Sequence, residues 1–303
     1  MKIIVTGSSG LIGSALVASL LARGDEVTRL VREKSEAARA GGAREVLWSP
    51  SRGELNAAEL EGHDAAIHLA GDPIAEGRWT DEKKRRILES RVQGTTLLAE
   101  TLAKLKTPPR VLLTASAVGY YGDRGAEVLT ETSTAGADFL ASVCREWEAS
   151  AEAAQAARIR VVHLRFGVVL SGAGGALTKM LTPFKMGVGG KIGSGEQYMS
   201  WIALDDAVGA ILHALAHAEL AGAVNVVAPR AVTNAEFTKT LGGVLGRPTI
   251  FAVPAFAARL AFGEMADAAL LASQRAEPAQ LKATSYHFKY PELESALRHA
   301  LAS

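Results

Sequence analysis

The feature that most constrains this chain lies at its start. Gly7-Ser8-Ser9-Gly10-Leu11-Ile12-Gly13 spaces three glycines as Gly-x-x-Gly-x-x-Gly. Before it runs Lys2-Ile3-Ile4-Val5-Thr6, which reads as a buried strand. After it, residues 11–23 have helical spacing and end at Gly24, a suitable residue just past a helix C-terminus. Between a strand and a helix, the first glycine permits a tight turn. The second lets backbone approach a pyrophosphate, and the third lets helix and strand pack closely. The helix N-terminus adds free N–H groups and a partial positive charge. The segment from Gly7 through Ser9, Gly10, Leu11 and Ile12 to Gly13 is therefore expected to hold the diphosphate of a dinucleotide.

Downstream, strand and helix signals alternate. Residues 26–31, 64–70, 110–114 and 160–165 read as strands, and 80–104 and 138–157 as helices. Such alternation implies parallel pairing through right-handed crossovers, hence an α/β fold with a Rossmann-type doubly wound parallel sheet. The character changes at residues 171–195, which carry eight glycines and suit loops around one helix near 177–184. Residues 205–217 return to helix and 224–227 to strand. From Thr233 the chain reads as mainly helical: Thr233-Asn234-Ala235-Glu236 is a capping-box pattern, Gly246 and Pro248 mark an end, and Pro254 opens another helix. Residues 264–273 and 291–301 also read as helices. Residues 1–170 and 205–228 are thus expected to form a nucleotide-binding core, and 171–204 and 229–303 a smaller C-terminal lobe on the substrate side.

Composition narrows the functional classes. Of 303 residues, 48% are hydrophobic and 21% charged, as in a globular chain with a large core. Thirty-three basic residues against thirty-two acidic give a net charge of +1, so no global field draws nucleic acid or an anionic membrane. Residues 1–6 are too short for a signal-peptide core. No uncharged apolar run reaches the ~18 residues of a membrane helix. Cys144 is the only cysteine, which excludes an intrachain disulfide or a cysteine-based zinc cluster and makes the cytoplasm the default location. Cys144 itself reads as core packing. His213 and His217 lie four apart on a helix, but no third ligand or catalytic Glu accompanies them, and no metal is expected. Asp205-Asp206 sits at a helix start, where acidic residues favour the dipole.

The end of the second strand selects the nucleotide. NAD binders usually place Asp or Glu about 20 residues past the glycines, on the adenosine ribose. Here Leu30-Val31 is followed by Arg32, whose planar charged fork suits a 2′-phosphate. Lys34 adds charge and Glu33 subtracts it. The cofactor expected is NADP(H).

Thr6 to Gly13, followed by Asp64-Ala65-Ala66-Ile67-His68-Leu69-Ala70-Gly71, resembles the extended short-chain dehydrogenase/reductase superfamily. Further stretches narrow the resemblance to its nucleoside-diphosphate-sugar epimerase-like family with a helical C-terminal domain. They are Arg78-Trp79-Thr80, Ser90-Arg91-Val92-Gln93-Gly94-Thr95, Ser116-Ala117-Val118-Gly119-Tyr120-Tyr121-Gly122, Ile192-Gly193-Ser194-Gly195, Ser200-Trp201-Ile202, Thr233 to Phe237 and Phe262-Gly263-Glu264-Met265. The resemblance implies that Leu69, Ala70 and Gly71 line the adenosine ribose and diphosphate, that Arg91 contacts NADP, and that Val169 lies near nicotinamide. It also implies a small-molecule substrate, a nucleotide sugar among the candidates. The neighbouring Lys83, Lys84, Arg85 and Arg86 read as a solvated helix face.

That superfamily uses a Tyr-x-x-x-Lys pair on one helix face, where the lysine charge lowers the tyrosine pKa. This sequence contains none. Phe139 and Val143, or Leu140 and Cys144, fall at the two places. Ser116 stays close to the usual serine position, and Tyr120 or Tyr121 on the following loop is a candidate replacement acid; the other reading is that both tyrosines pack. Residues 187–195, with Gln197, Tyr198, Ser200 and Trp201, are expected to form a mobile cover over the substrate. Two functions follow: an atypical NADP-dependent epimerase or oxidoreductase, or a binding protein that senses NADP(H).

Overall fold

The structure, a computed structural model, describes residues 1–33 and 42–302; Lys34 lies outside the described residues. The strands in chain order are β1 (Lys2–Thr6), β2 (Glu26–Val31), β3 (Arg44–Ser49), β4 (Glu54–Leu55), β5 (Ala65–His68), β6 (Val111–Ala117), β7 (Val128–Leu129), β8 (Arg160–Phe166), β9 (Val168–Leu170), β10 (Gly190–Ile192), β11 (Tyr198–Met199), β12 (Trp201–Ala203), β13 (Gly222–Val226), β14 (Val232–Thr233), β15 (Phe251–Val253) and β16 (Arg275–Ala276). Eight of them form the main sheet in the order β13-β8-β6-β5-β1-β2-β3-β4. Every neighbouring pair is parallel except the β3–β4 edge. The order reverses between β1 and β5, and ligands of such sheets bind at the carboxyl ends of the strands beside that reversal.

The strands are apolar because helices cover both faces. Along β1, Ile3 and Val5 join one core with Leu16 and Leu20 of the helix Leu11–Ala22 and Ile211 of the helix Leu204–Ala216. Ile4 points to the opposite core, with Leu98 and Leu102 of the helix Asp81–Ala103. This is the period-two alternation of a strand, with both of its sides buried. The helices start on local signals. Thr80 Oγ1 accepts the Lys83 N–H ahead of Asp81–Ala103, Asp138 Oδ1 accepts the Ala141 N–H ahead of Phe139–Ala149, and Thr233 with Glu236 completes a capping box ahead of Asn234–Leu245.

A third core belongs to the C-terminal lobe, where Leu177, Leu181 and Phe184 meet Trp201, Phe237, Leu241 and Leu297. Short parallel pairs tie it to the core segments, β12 with β9 and β16 with β7, while β10 pairs with β15 inside the lobe. One expectation needs correction: residues 138–157 form two helices, Phe139–Ala149 and Glu152–Ala156, separated at Ser150 and Ala151. Residues 264–271 are helical, with π-helical geometry over Ala266–Leu271, and Met265 and Ala268 pack against Trp79, Leu140 and Val143.

At the sheet centre, Thr6 Oγ1 accepts the N–H groups of Leu69 (3.2 Å) and Ala70 (3.3 Å) and lies 2.7 Å from His68 Nδ1. An oxygen that already accepts two N–H groups offers its own proton to Nδ1, so His68 is neutral with its hydrogen on Nε2. Burial pushes its pKa from 6.5 down to about 4, and the Arg91 charge adds to the shift. The unfolded chain thus binds this proton more tightly than the folded one. Stability from His68 is full above about pH 6.5 and is lost as pH falls toward about 4, a loss of roughly 3 kcal/mol. In urea titrations across that window, His68→Asn is expected to flatten the pH dependence, while an unchanged slope contradicts this assignment.

Candidate active site

The three glycines serve two purposes. A Cβ on Gly13 would lie 2.1 Å from the Gly7 carbonyl oxygen, and one on Gly7, at φ +65°, would lie 2.6 Å from the Leu69 carbonyl carbon. These two are glycines because the loop packs against its own helix and against the end of β5. A Cβ on Gly10 would meet only the Gly7 oxygen, at 3.3 Å. Its outer side is otherwise open. Behind it the helix Leu11–Ala22 begins with no side-chain cap and no acidic residue in its first turn, so its leading N–H groups and positive end face that opening. An open, uncapped helix start behind a glycine is what a dinucleotide diphosphate requires, and the residues present fit the group. Leu11 leans on the lobe, 3.0 Å from a Cβ placed on Gly175.

The predicted residues gather at this rim. Leu69 and Ala70 are pinned to the loop through Thr6. Gly71 leaves room for the Arg91 guanidinium, 3.3 Å from a Cβ there. Arg91 donates to the Asp72 and Ile87 carbonyls, each at 3.0 Å, and lies over the Trp147 ring; burial lowers its pKa, and the Cys144 and Asp72 groups oppose that shift. Arg32 stands exposed just past the end of β2 and makes no ion pair among the described residues. Val169 is held on β9 opposite Ile202. Sequence reasoning missed Arg29, whose Nε donates to Ser8 Oγ at 2.9 Å and so braces the loop from β2. It also misread Lys83. That side chain is buried and its ammonium lies 2.5 Å from Asp72, because the start of the helix folds over the 72–79 segment; Arg85 and Arg86 are exposed as expected.

At the C-terminal ends of β6 and β8 lies a buried polar network. The Arg165 guanidinium grips Glu148 with two bonds of 2.8 Å, and Ser116 Oγ donates to the same carboxylate at 2.7 Å. Arg165 and Glu148 are 4% and 13% exposed, so this is a buried ion pair. Burial alone would make Arg165 easier to deprotonate, but Glu148 and Tyr121 outweigh it and the net shift is upward. Arg165 also donates to the Tyr121 oxygen at 3.1 Å, and Tyr121 donates to Asn225 Oδ1 at 2.7 Å. Tyr121 is wholly buried, and burial, partly opposed by Arg165 and Asn225, raises its pKa.

Tyr120 differs from its neighbour. Its ring lies under the Arg165 guanidinium, 3.4 Å from ring centre to Cζ, it is half-buried, and its hydroxyl has no hydrogen-bond partner among the described residues. Cys144 occupies a place on the helix Phe139–Ala149 one turn before Glu148, with Sγ 3.8 Å from the Ala117 carbonyl. Burial, with Glu148 adding to it, pushes its thiol up to about 11, so it is inert packing at neutral pH. Glu148 and Arg165 escaped the sequence reading. The available signal was an arginine inside the apolar run Val161 to Phe166, since a charge in a covered strand needs a partner.

Of the expected cover, the part from Gln197 to Trp201 is packed and hydrogen-bonded. Trp201 is 1% exposed in the lobe core, Ser200 is buried, and the Gln197 amide donates to the Ile192 and Leu270 carbonyls at 3.0 Å. Pairing of β12 with β9 pulls this segment inward. His213 Nε2 lies 2.8 Å from Thr284 Oγ1. Asp206 is buried, accepting the N–H groups of Lys289 (2.7 Å) and Tyr290 (2.9 Å).

With fold and site in view, comparison with known proteins places the chain. The model of the NAD dependent epimerase/dehydratase family matches residues 3–227, and the chain belongs to that family. Residues 253–300 match a domain of unknown function, DUF1731. An epimerase family protein of Mycobacterium bovis is 43% identical over 98% of this chain and 96% of its own length. The crystal structure of human epimerase family protein SDR39U1 with NADPH superposes with a TM-score of 0.89 at 35% identity, covering 100% of this chain and 99% of that one. UDP-glucose 4-epimerase of Thermotoga maritima, solved with UDP-glucose, shares the fold: its TM-score is 0.79 at 20% identity, over 100% of this chain and 98% of that chain.

Three variants test the geometry. Gly13→Ala drives a methyl into backbone and is expected to cost about 1–3 kcal/mol in urea unfolding. Glu148→Ala strands a buried guanidinium and is expected to cost about 3–5 kcal/mol, more than Glu148→Gln, which keeps acceptor oxygen for Ser116 and Arg165.

Proposed function

We propose that this chain is an NADP(H)-dependent oxidoreductase of the epimerase type, acting on a small-molecule substrate in the cytoplasm. The observation that carries the reading is the open cradle at Gly10 in front of an uncapped helix start. Relatedness to a human protein solved with NADPH supports it. Gly7 to Gly13 would hold the diphosphate, Arg32 the 2′-phosphate, and Leu69, Ala70, Gly71 and Arg91 the adjoining ribose side, with Val169 toward nicotinamide. When bound, the nicotinamide supplies or accepts the hydride. The chain's part is to orient the substrate and move a proton.

Tyr120 is our candidate for the proton. Its hydroxyl is the one of the Tyr120–Tyr121 pair not already committed to a partner within the described chain, and Arg165 fixes its ring beyond the end of β6. In the reducing direction its O–H donates to the substrate oxygen and water restores the proton. Ser116 and Tyr121 then act through others: Ser116 orients Glu148, and Tyr121 orients Arg165. Nucleotide sugars are the first substrate class to screen, beside simple carbonyl compounds.

The cofactor assignment is tested by fluorescence titration. Arg32→Ala is expected to weaken NADPH about 10- to 100-fold, the worth of a charge-assisted hydrogen bond of ~1.5–3 kcal/mol, and to leave NADH unchanged. Equal affinity of the native chain for both cofactors overturns the assignment. Tyr120→Phe keeps the ring under Arg165 and removes the hydroxyl. It is expected to lower turnover by roughly 10²–10⁴-fold without altering NADPH affinity; full activity rules out Tyr120 as the acid.

A further inference from the structure

Residues 72–79 lead from the end of β5 toward the helix Asp81–Ala103 without regular secondary structure. Both ends are fastened. The Asp72 N–H donates to Ser90 Oγ and its carbonyl accepts Arg91, each at 3.0 Å. At the other end Trp79 is buried, and its indole donates to the Ile74 carbonyl at 2.8 Å. Between them Pro73, Ala75, Glu76, Gly77 and Arg78 are exposed. Gly77 has φ +71°, and a Cβ there would meet nothing, so this glycine serves a bend and not packing. An arch with so few buried side chains opens at little cost.

Two bonds join the arch to the lobe. Lys179 Nζ donates to the Ala75 carbonyl at 2.8 Å, and the Arg78 guanidinium donates to the Leu260 carbonyl. Lys179 stands one turn into the helix Gly175–Lys185. A Cβ on Gly175 would lie 3.0 Å from Leu11, at the diphosphate cradle, and 3.9 Å from the Val169 carbonyl oxygen. The contacts form a closed circuit. It runs from the glycine loop through Leu11 to Gly175, along the helix to Lys179, and across to Ala75. From there it returns along the arch to Ala70 and through Thr6 to the loop. Lys179 is the one long, exposed side chain in it, and it makes no ion pair among the described residues.

We propose, on the cofactor reading above, that Lys179 is a positioning residue that retains the dinucleotide by closing this circuit over it. Donor and acceptor both belong to the chain. The latch therefore acts on entry and release alike and leaves the binding equilibrium nearly unchanged. Its release frees the arch to swing at Gly77. A lysine that bound the phosphates directly would behave differently, because its charge would speed association and its loss would weaken affinity.

Stopped-flow NADPH fluorescence on the full chain separates the two roles. Lys179→Met is expected to raise the association and dissociation rates together, each about 3- to 10-fold, the worth of one exposed bond from a charged donor, with Kd and Tm close to native. Slower association with weaker affinity overturns the latch. A second variant, Ala75→Cys with Lys179→Cys, is joined by a short bismaleimide; Cys144 is buried away from the reagent. Joined before NADPH is added, it is expected to slow association on the order of tenfold or more, and joined afterwards, to slow dissociation as much. Native rates in the joined chain overturn the latch alone. A native chain that binds no NADPH overturns the cofactor reading and the latch with it.

Discussion

Everything at the nucleotide end depends on backbone meeting backbone. No side-chain carbon fits between Gly13 and the Gly7 carbonyl, or between Gly7 and the start of the segment after β5. That contact sets how closely the first helix approaches the sheet and therefore where its free N–H groups stand. Thr6 extends the constraint sideways, binding the Leu69 and Ala70 amides with one oxygen and His68 with its proton. On the β5 side the loop is thus aligned by neutral groups, while Arg29 braces it from β2. Thr6 is a neutral, dry clamp beneath a surface shaped for negative charge.

The polar network at the ends of β6 and β8 is organised on a different principle. A tyrosine and a lysine on one helix would bring a hydroxyl and a charge together by helical spacing alone. Here Leu140 and Cys144 make that stretch of helix apolar, and the charge comes from β8 instead. Arg165 lies opposite Ser116 in the register of β6 and β8, so both reach Glu148 from adjacent strands. A buried guanidinium is costly unless its partner is close and its remaining donors are satisfied. Glu148 neutralises it, Tyr121 takes a third bond, and the Tyr120 ring covers its face. The charge and its partner are held by sheet register and not by helical spacing.

How much of this was legible varied with the distance over which each contact is made. The glycine loop and the helix after it are local, and a dozen residues contain the whole argument. The alternation of strand and helix followed from apolar runs that two-sided burial demands. The edge strands β3 and β4 left a weak trace, since of β3 only Val46 and Trp48 are buried. Pairing of β9 with β12 was invisible, because three-residue strands joined across some thirty positions carry no periodicity. The same holds for Glu148: nothing next to it in sequence shows that an arginine seventeen residues later lies alongside. Trp201 looked like a loop aromatic because the stretch from Gly187 to Gln197 before it is rich in glycine and polar residues, and its burial is decided by the lobe core.

The ties from the far end of the chain carry a consequence for biosynthesis. Asn225 places its amide on the Glu277 carbonyl while its oxygen accepts the Tyr121 hydroxyl. Glu131 receives the N–H of Gln280 from 149 residues away. On the ribosome, the nucleotide loop and its clamp are complete once β5 has emerged. The partners of Arg165 all precede it in the chain, so its ion pair can close early, whereas the bonds of Asn225 to Glu277 and of Glu131 to Gln280 wait for the end of the lobe, which is therefore the last part to lock the tyrosine loop.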